Sequence, residues 1–220
     1  MNKNVDSTTA SQTVTPITGE LHSVQSARWP VQGEHVLAHF DAGSIVVYQA
    51  YRPSTGRYAI EHGQLGGPDF SFNRMSWIKP NFLWMMHRSG WGTKPGQEVT
   101  LGLRVRRAFF DRLLRDAVES SFNPARHASP DDWKAAVEAS DVRLQWDPDH
   151  APDGAKLARR AVQLGLRGGA LKALATIELL EVVDMSPFVE AQRVHLSVGA
   201  PWTGLRTPVE HVYPFHQNSS

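Results

Sequence analysis

Runs of β-branched and aromatic residues, set between polar turns, predict several strands along the chain. Residues 44–52, SIVVYQAYR, follow an Asp-Ala-Gly turn and stop at Pro53, which is typical of a buried strand. Residues 98–107 alternate between apolar and polar side chains, which predicts a half-buried strand with a cationic outer side. Further strands are predicted at 74–78, 142–146 and 176–184.

Apolar residues at helical spacing, together with capping residues, predict the helices. Ser129 and Pro130 begin one of them, because serine caps a first turn and proline fits its first position. Residues 156–166 carry apolar side chains at helical spacing, which predicts a helix with Arg159 and Arg160 pointing outward. The other predicted helices lie at 57–64, 82–87, 110–118 and 188–193, and an acidic loop is predicted at 147–154.

The order of these elements predicts the class of fold. Strands and helices are mixed without a regular βαβ rhythm, which favours an α+β fold with a mixed or antiparallel sheet and flanking helices. A chain of 220 residues with 41% hydrophobic residues is long enough for one sizeable core. We predict a single domain over 28–198, a disordered N-terminal tail at 1–27 and an irregular C-terminal tail at 199–220.

Composition excludes several kinds of chemistry. The chain has no cysteine, so disulfides, thiolate zinc sites and cysteine nucleophiles are excluded. No Walker loop, GxGxxG, HExxH or serine-nucleophile motif occurs, and the ten histidines are scattered, so no metal site is predicted. No apolar run is long enough to span a membrane, and the first twenty residues lack a signal-type segment. We therefore predict no membrane partner and a cytoplasmic location.

Residues 72–115 are rich in arginine, lysine and tryptophan. Between Arg74 and Arg115 there are nine arginines and lysines but only two acidic residues, which favours an anionic partner such as a nucleotide or a nucleic acid. A solvated basic face is the alternative. Polar groups within such a hydrophobic segment need partners. The candidate cofactor-binding residues of this segment are Arg74, Ser76, Lys79 and Arg88, whereas Trp84 is expected in the core.

Two other strands carry candidate residues. Tyr48 and Arg52 share a face at the exit of the strand at 44–52, where they would hold a ribose or a phosphate. The alternative is a buried tyrosine and a surface arginine. Glu178 and Glu181 lie near the strand at 176–184, and a carboxylate there would orient a ribose hydroxyl or act as a general base. Solvated strand residues are the alternative for both glutamates.

Longer motifs support a resemblance to a family. The runs VYQAYRP, IEHGQLGG, FNRMSWIKPNFLWMMHRSGWGTK and QEVTL, followed by LQWDPDH, RRAVQLGLRG and VVDMSPFVEAQ, closely resemble the bacterial and fungal domain-of-unknown-function family 4291. The resemblance covers about residues 40–195. It brings no established activity with it.

A second likeness concerns the order of elements, which is similar to that of the ADP-ribosyltransferase fold. The likeness implies that Tyr48 or Arg52 grips NAD, that Ser76 supports the nicotinamide ribose, and that Glu178 or Glu181 is catalytic. The triad spacing of those enzymes and their Glu-x-Glu pair are missing here. Fold analogy alone does not carry function.

Three functional hypotheses follow from the sequence. The leading one is an ADP-ribosyltransferase-like enzyme that uses NAD, or binds another nucleotide. The second is a non-catalytic nucleic-acid-binding module that uses the Arg/Trp-rich segment at 72–115. The third is a purely structural or partner-binding protein.

Overall fold

The computed structural model describes residues 15–215 of the chain. Within these residues the chain forms twelve strands, seven α-helices and one 3-10 helix. The strands are β1 (Gly19–Leu21), β2 (Gly33–Glu34), β3 (Leu37–Ala38), β4 (Ser44–Tyr51), β5 (Ser76–Ile78), β6 (Val99–Arg106), β7 (Val118–Glu119), β8 (Val142–His150), β9 (Lys156–Leu166), β10 (Leu179–Asp184), β11 (Arg206–Pro208) and β12 (His211–Val212). The helices are α1 (His22–Ser26), α2 (Pro53–His62), α3 (Phe82–Ser89), α4 (Arg107–Asp116), α5 (Pro130–Ala139), α6 (Gly168–Ala175) and α7 (Ser186–Arg193), and the 3-10 helix is Val194–Val198.

A three-stranded antiparallel sheet, in the order β10-β6-β4, is covered on both faces. Ile45 and Val47 of β4 lie in the larger apolar cluster, to which α4 and α6 also contribute. Val46 and Tyr48 point the other way and pack in a second cluster with Phe82 of α3. Because successive residues of a strand face opposite sides, this double cover explains why 44–49 are buried without interruption.

The second sheet is built around β9. The strand order is β2-β9-β8-β7, and β5 pairs with β9 from outside this path. β8 and β9 are antiparallel, and their register places Gln145 opposite Gln163. β5 is also antiparallel to β9, with Trp77 opposite Gly165. β9 therefore joins β8 to β5 in one sheet, and β5 leads into α3.

Two predictions for the second half of the chain were wrong. Residues 156–166 form β9 and not a helix, because Leu164 pairs with Leu144 of β8 and with Ile78 of β5. The spacing of apolar residues in this segment fits both a helix and a strand. Pairing of β9 with β8 and β5 makes it a strand. The predicted acidic loop at 147–154 begins inside β8, which continues to His150.

The structure extends the ordered part of the domain beyond the predicted limits. Residues 19–26, which were assigned to the N-terminal tail, form β1 and α1, and β1 pairs with β11 of the predicted C-terminal tail. Gln25 fixes this junction, because its Nε2 donates to the Thr207 hydroxyl at 2.9 Å and to the carbonyl of Pro208 at 3.1 Å. The remainder of the two predicted tails, residues 1–14 and 216–220, lies outside the described residues.

The architecture confirms the predicted α+β class in a single domain. Within residues 15–215, no helix is long and apolar enough to cross a membrane.

Candidate functional site

A cleft of about 630 Å³ lies between the two sheets, beside the end of β4 and along β5. Its walls come from separate parts of the chain: the start of α2, the end of α3, and the centres of β8 and β9. Four lining residues are cationic, Arg52, Arg74, Lys79 and Arg88. Four are amides, Gln49, Gln97, Gln145 and Gln163, and the aromatic ones are Tyr51, Phe70 and Trp77.

Hydrogen bonds between β4 and β5 fix one wall of the cleft. Nε2 of Gln49 donates to the Ser76 hydroxyl at 2.7 Å and to the carbonyl of Trp77 at 3.2 Å. The Tyr51 hydroxyl donates to Oε1 of Gln49 at 2.6 Å. Burial raises the pKa of Tyr51, so this phenol stays protonated and remains a donor. The Gln49 amide is therefore held in one orientation.

Two amides of the opposite wall bind the carboxylate of Asp147. Gln145 donates to Oδ1 of Asp147 at 2.9 Å, and Gln163 donates to Oδ2 at 2.7 Å. The two glutamines face each other across the β8–β9 ladder, so they act as a clamp on this side chain. Asp147 itself does not line the cleft, and both of its oxygens accept hydrogen bonds from amides that do.

Lys79 lies on the floor of the cleft and is 4% exposed. The main chains of Lys79 and Tyr48 form two hydrogen bonds. The N–H of Lys79 donates to the carbonyl of Tyr48 at 3.2 Å, and the N–H of Tyr48 donates to the carbonyl of Lys79 at 2.7 Å. Burial, and after it the neighbouring Arg88, lower the pKa of Lys79 to about 8, while Asp147 acts in the opposite direction. Its Nζ is 5.8 Å from the centre of the Trp84 ring. Within residues 15–215 this ammonium has no hydrogen-bonding partner and no ion pair.

Three exposed arginines, which we term the rim arginines (Arg52, Arg74 and Arg88), surround the opening. Asp69 is the only carboxylate among the described residues that line the cleft, and its Oδ2 accepts from the Ser54 hydroxyl. In the part of the chain described here, Arg74 forms no ion pair or hydrogen bond. The cleft is therefore positively charged, and such a field favours an anionic ligand.

A carboxylate of the chain itself accepts a hydrogen bond from a main-chain N–H at the edge of the cleft. Oε1 of Glu98 accepts from the N–H of Gly96 at 2.9 Å, and Gly96 has a φ of 78°, which suits glycine. The Gly96 amide contributes most to lowering the pKa of Glu98, and Arg52 is among the smaller contributions. Since Gly96 and Arg52 both line the cleft, Glu98 lies where an anionic group of a ligand would find an N–H and a guanidinium.

The structure brings five of the eight candidate residues together. Arg52, Arg74, Ser76, Lys79 and Arg88 all line the cleft. They come from the residue after β4, the segment before β5, β5 and the residue that follows it, and α3. Their roles remain predictions.

Tyr48, Glu178 and Glu181 lie elsewhere. The Tyr48 side chain is fully buried on the other face of β4, where its ring meets Phe82 edge-on at 5.4 Å. The Glu178 carboxylate is 2.5 Å from Arg112 of α4, and Glu181 is 2.9 Å from Arg104. Both glutamates are engaged by arginines, and neither lines the cleft.

Arg104 corrects the prediction of a cationic outer side for the strand at 98–107. Its side chain is 1% exposed, and its guanidinium bonds to Glu181, to the Ser44 hydroxyl at 3.3 Å and to the Thr15 carbonyl at 2.7 Å. The face of β6 that carries Arg104 is covered, because Met185 and Ile17 lie against Gly102 on the same face. The periodicity identified the strand correctly, but it gave no sign of this second layer.

Other residues of the cleft were missed as candidates. The alternation of β4 places Gln49 and Tyr51 on one face, and both side chains line the cleft. The sequence did not mark Gln145 and Gln163 as candidate site residues. They meet only in the β8–β9 hairpin, and the sequence predicted a helix in place of β9. Of the three tryptophans of 72–98, Trp84 and Trp91 are buried, as expected for Trp84, while Trp77 lines the cleft.

Fold and site define a single-domain α+β protein with a ligand-sized, cationic cleft between two sheets. The family model described as domain of unknown function (DUF4291) matches residues 35–213, and the chain belongs to this family. The match confirms the resemblance that the motifs indicated and extends it at both ends. No curated protein matches the chain.

Proposed function

We propose that the cleft binds a nucleotide-type ligand, with NAD as the first candidate. The observation that carries the proposal is the meeting of Arg52, Arg74, Ser76, Lys79 and Arg88 in one cavity. A volume of about 630 Å³ suits a small-molecule site, for which about 300–1,000 Å³ is usual.

The lining divides into parts that match the parts of a nucleotide. The rim arginines supply charge-assisted hydrogen bonds to phosphate oxygens. Trp77 and Phe70 offer aromatic faces on which a base or nicotinamide ring can stack. Ser76 and the glutamines provide hydroxyl and amide groups for ribose hydroxyls and ring edges.

ADP-ribosyl transfer is the narrower form of this hypothesis. It requires a carboxylate at the nicotinamide ribose, and Glu178 and Glu181 were the candidates for that role. Both are bound by arginines away from the cleft, and the nearer Asp147 is held by two amides. We therefore limit the proposal to binding. If transfer depended on Glu181, a Glu181→Gln variant would lose nicotinamide release while still binding NAD.

The hypothesis of a nucleic-acid interface has less support from the same segment. Not all cationic side chains of 72–115 are available to a nucleic acid, since Arg104 is buried and Arg112 pairs with Glu178. Arg107 packs over the rings of Phe40 and Tyr213.

The test of the proposal is calorimetric titration with NAD, ADP-ribose and a single-stranded oligonucleotide. We expect NAD or ADP-ribose to bind and Arg74→Gln to weaken this binding about ten- to a hundredfold, because a charged hydrogen bond contributes about 1.5–3 kcal/mol. Arg57→Gln is the matched control, since Arg57 is exposed on α2 and does not line the cleft. Equal affinities of the two variants, or binding of the oligonucleotide alone, would contradict the proposal.

A second variant tests the anion position next to Gly96. Glu98→Gln should tighten the binding of the phosphate-bearing ligand by about two- to fivefold, because a competing exposed carboxylate is removed. The measurement is the same titration, repeated at low and high salt. Asp69→Asn is the comparison, since it neutralises the other carboxylate at the cleft, whose Oδ2 accepts from the Ser54 hydroxyl. Weaker binding to Glu98→Gln would show that Glu98 contacts the ligand itself.

A further inference from the structure

Lys79 differs from every other lysine in residues 15–215. Its side chain is buried, whereas the other described lysines are exposed on the surface: Lys94, Lys134, Lys156 and Lys172. It also lines the cleft, so burial within the protein does not remove it from a bound ligand. The cleft thus contains one amine that solvent barely reaches.

The surroundings of Lys79 stabilise the ammonium form poorly. No carboxylate forms an ion pair with its Nζ within residues 15–215, and the two oxygens of the near Asp147 accept from Gln145 and Gln163. The Arg88 guanidinium is close enough to oppose its charge. Burying an unpaired ammonium is costly, so such a group either meets an anionic ligand or gives up its proton.

We propose that Lys79 is a nucleophilic amine that forms an imine with an aldehyde or ketone carbon of an anionic ligand held in the cleft. The proposal rests on the proposed function only for the anionic character of that ligand. It gives Lys79 a covalent role, where the sequence predicted a contact with a cofactor. Desolvated lysines of this kind are the ones that form Schiff bases with carbonyl substrates.

The step is balanced without a further reactant. The neutral Nζ attacks the carbonyl carbon, and a proton moves from nitrogen to the carbonyl oxygen, which gives a carbinolamine. The C–O bond then breaks, the hydroxyl takes the remaining proton of the attacking nitrogen and leaves as water, and a neutral C=N bond remains. The rim arginines would hold the anionic group of the ligand while its carbonyl carbon lies over the floor.

The acid–base state of Lys79 agrees with this chemistry. With a pKa of about 8, roughly one side chain in ten is neutral at pH 7, against fewer than one in a thousand for an ordinary lysine. Arg88 of α3 and Asp147 of β8 act on it in opposite directions. The other charged groups of the cleft are Arg52, Arg74 and Asp69.

The test treats the wild-type protein with pyridoxal 5′-phosphate, an aldehyde that carries a phosphate. Borohydride then reduces the imine, and peptide mass spectrometry locates the labelled lysines. We expect Lys79 to be labelled about tenfold faster than the exposed lysines, with a rate that rises through a midpoint near pH 8. Lys134 is the internal reference. Pyridoxal without the phosphate should label Lys79 more slowly, and Arg74→Gln should remove most of that difference.

The outcomes separate this inference from the proposed function. If NAD binds but labelling is spread evenly over the exposed lysines, the covalent role of Lys79 is overturned and the proposed function stands. If Lys79 is labelled first but excess NAD gives no protection and does not bind, the amine is reactive and the nucleotide proposal fails. Because the labelling rate of Lys79 is measured on the wild-type protein, the result does not depend on the folding of a Lys79 variant.

Discussion

Replacing Arg159 by methionine is expected to lower the free energy of unfolding by about 3–5 kcal/mol. Arg159 and Asp149 form an ion pair in which both side chains are buried, with 2.6 Å between Nη2 of the arginine and Oδ2 of the aspartate. The guanidinium also donates to the Pro30 carbonyl at 2.6 Å and lies over the Trp29 ring. Methionine would fill much of the space but would leave the Asp149 carboxylate buried without its partner.

The measurement is urea unfolding at several pH values. Burial already raises the pKa of Asp149, and Arg159 opposes this rise, so losing the arginine makes protonation of Asp149 easier. The stability loss should therefore shrink as the pH falls toward the range in which Asp149 is protonated. Arg160→Met is the control, because Arg160 is exposed on the opposite face of β9.

A double variant tests the explanation of this loss. Arg159→Met combined with Asp149→Leu removes both charges, and it should recover much of the stability that Arg159→Met loses. A double variant no more stable than the single one would show that packing around the guanidinium, and not the unpaired charge, causes the loss.

Replacing Gly165 by alanine is expected to cost about 1–3 kcal/mol of stability and to weaken ligand binding at the same time. A Cβ at this position would lie 2.6 Å from Sδ of Met75 and 3.0 Å from the Trp77 ring, so both side chains must move. Met75 and Trp77 line the cleft. A methyl group on the back of the wall would therefore shift the aromatic face that we propose for the ring of the ligand.

Thermal unfolding and NAD titration on the same preparations measure both effects. Gly169→Ala is the control, because Gly169 lies in α6, away from the cleft, and a Cβ there would have no neighbour closer than 3.3 Å. A stability loss without any change in affinity would mean that the Trp77 ring does not contact the ligand.

Much of the cleft was predictable because several of its residues are charged or polar but lie between apolar residues in the sequence. Lys79 follows Trp77 and Ile78 directly and precedes the apolar α3, so a charged group at that position had to meet either a partner or a cavity. The same reasoning applied to Arg74 and Arg88, which stay exposed at the opening. Local sequence thus identified the polar groups, although not the ligand that they suit.

The remaining errors come from contacts between distant segments. The spacing of Leu157, Ala161 and Leu164 fits a helix, but the pairing of β9 with β8 and β5 makes it a strand. Glu181 was a plausible carboxylate for a cleft until β6 placed Arg104 against it. Neither partner could be read from the spacing, because strand order and the layer over β6 are set by residues far apart in the chain.

The two main-chain hydrogen bonds between Lys79 and Tyr48 connect the amine to the centre of a strand that is buried on both faces. We therefore expect slower amide hydrogen exchange at the floor than in the exposed segment around Gly96. If the cleft binds the ligand class that we propose, ligands of different length could bind at the exposed rim and still meet the same nitrogen atom on a fixed floor.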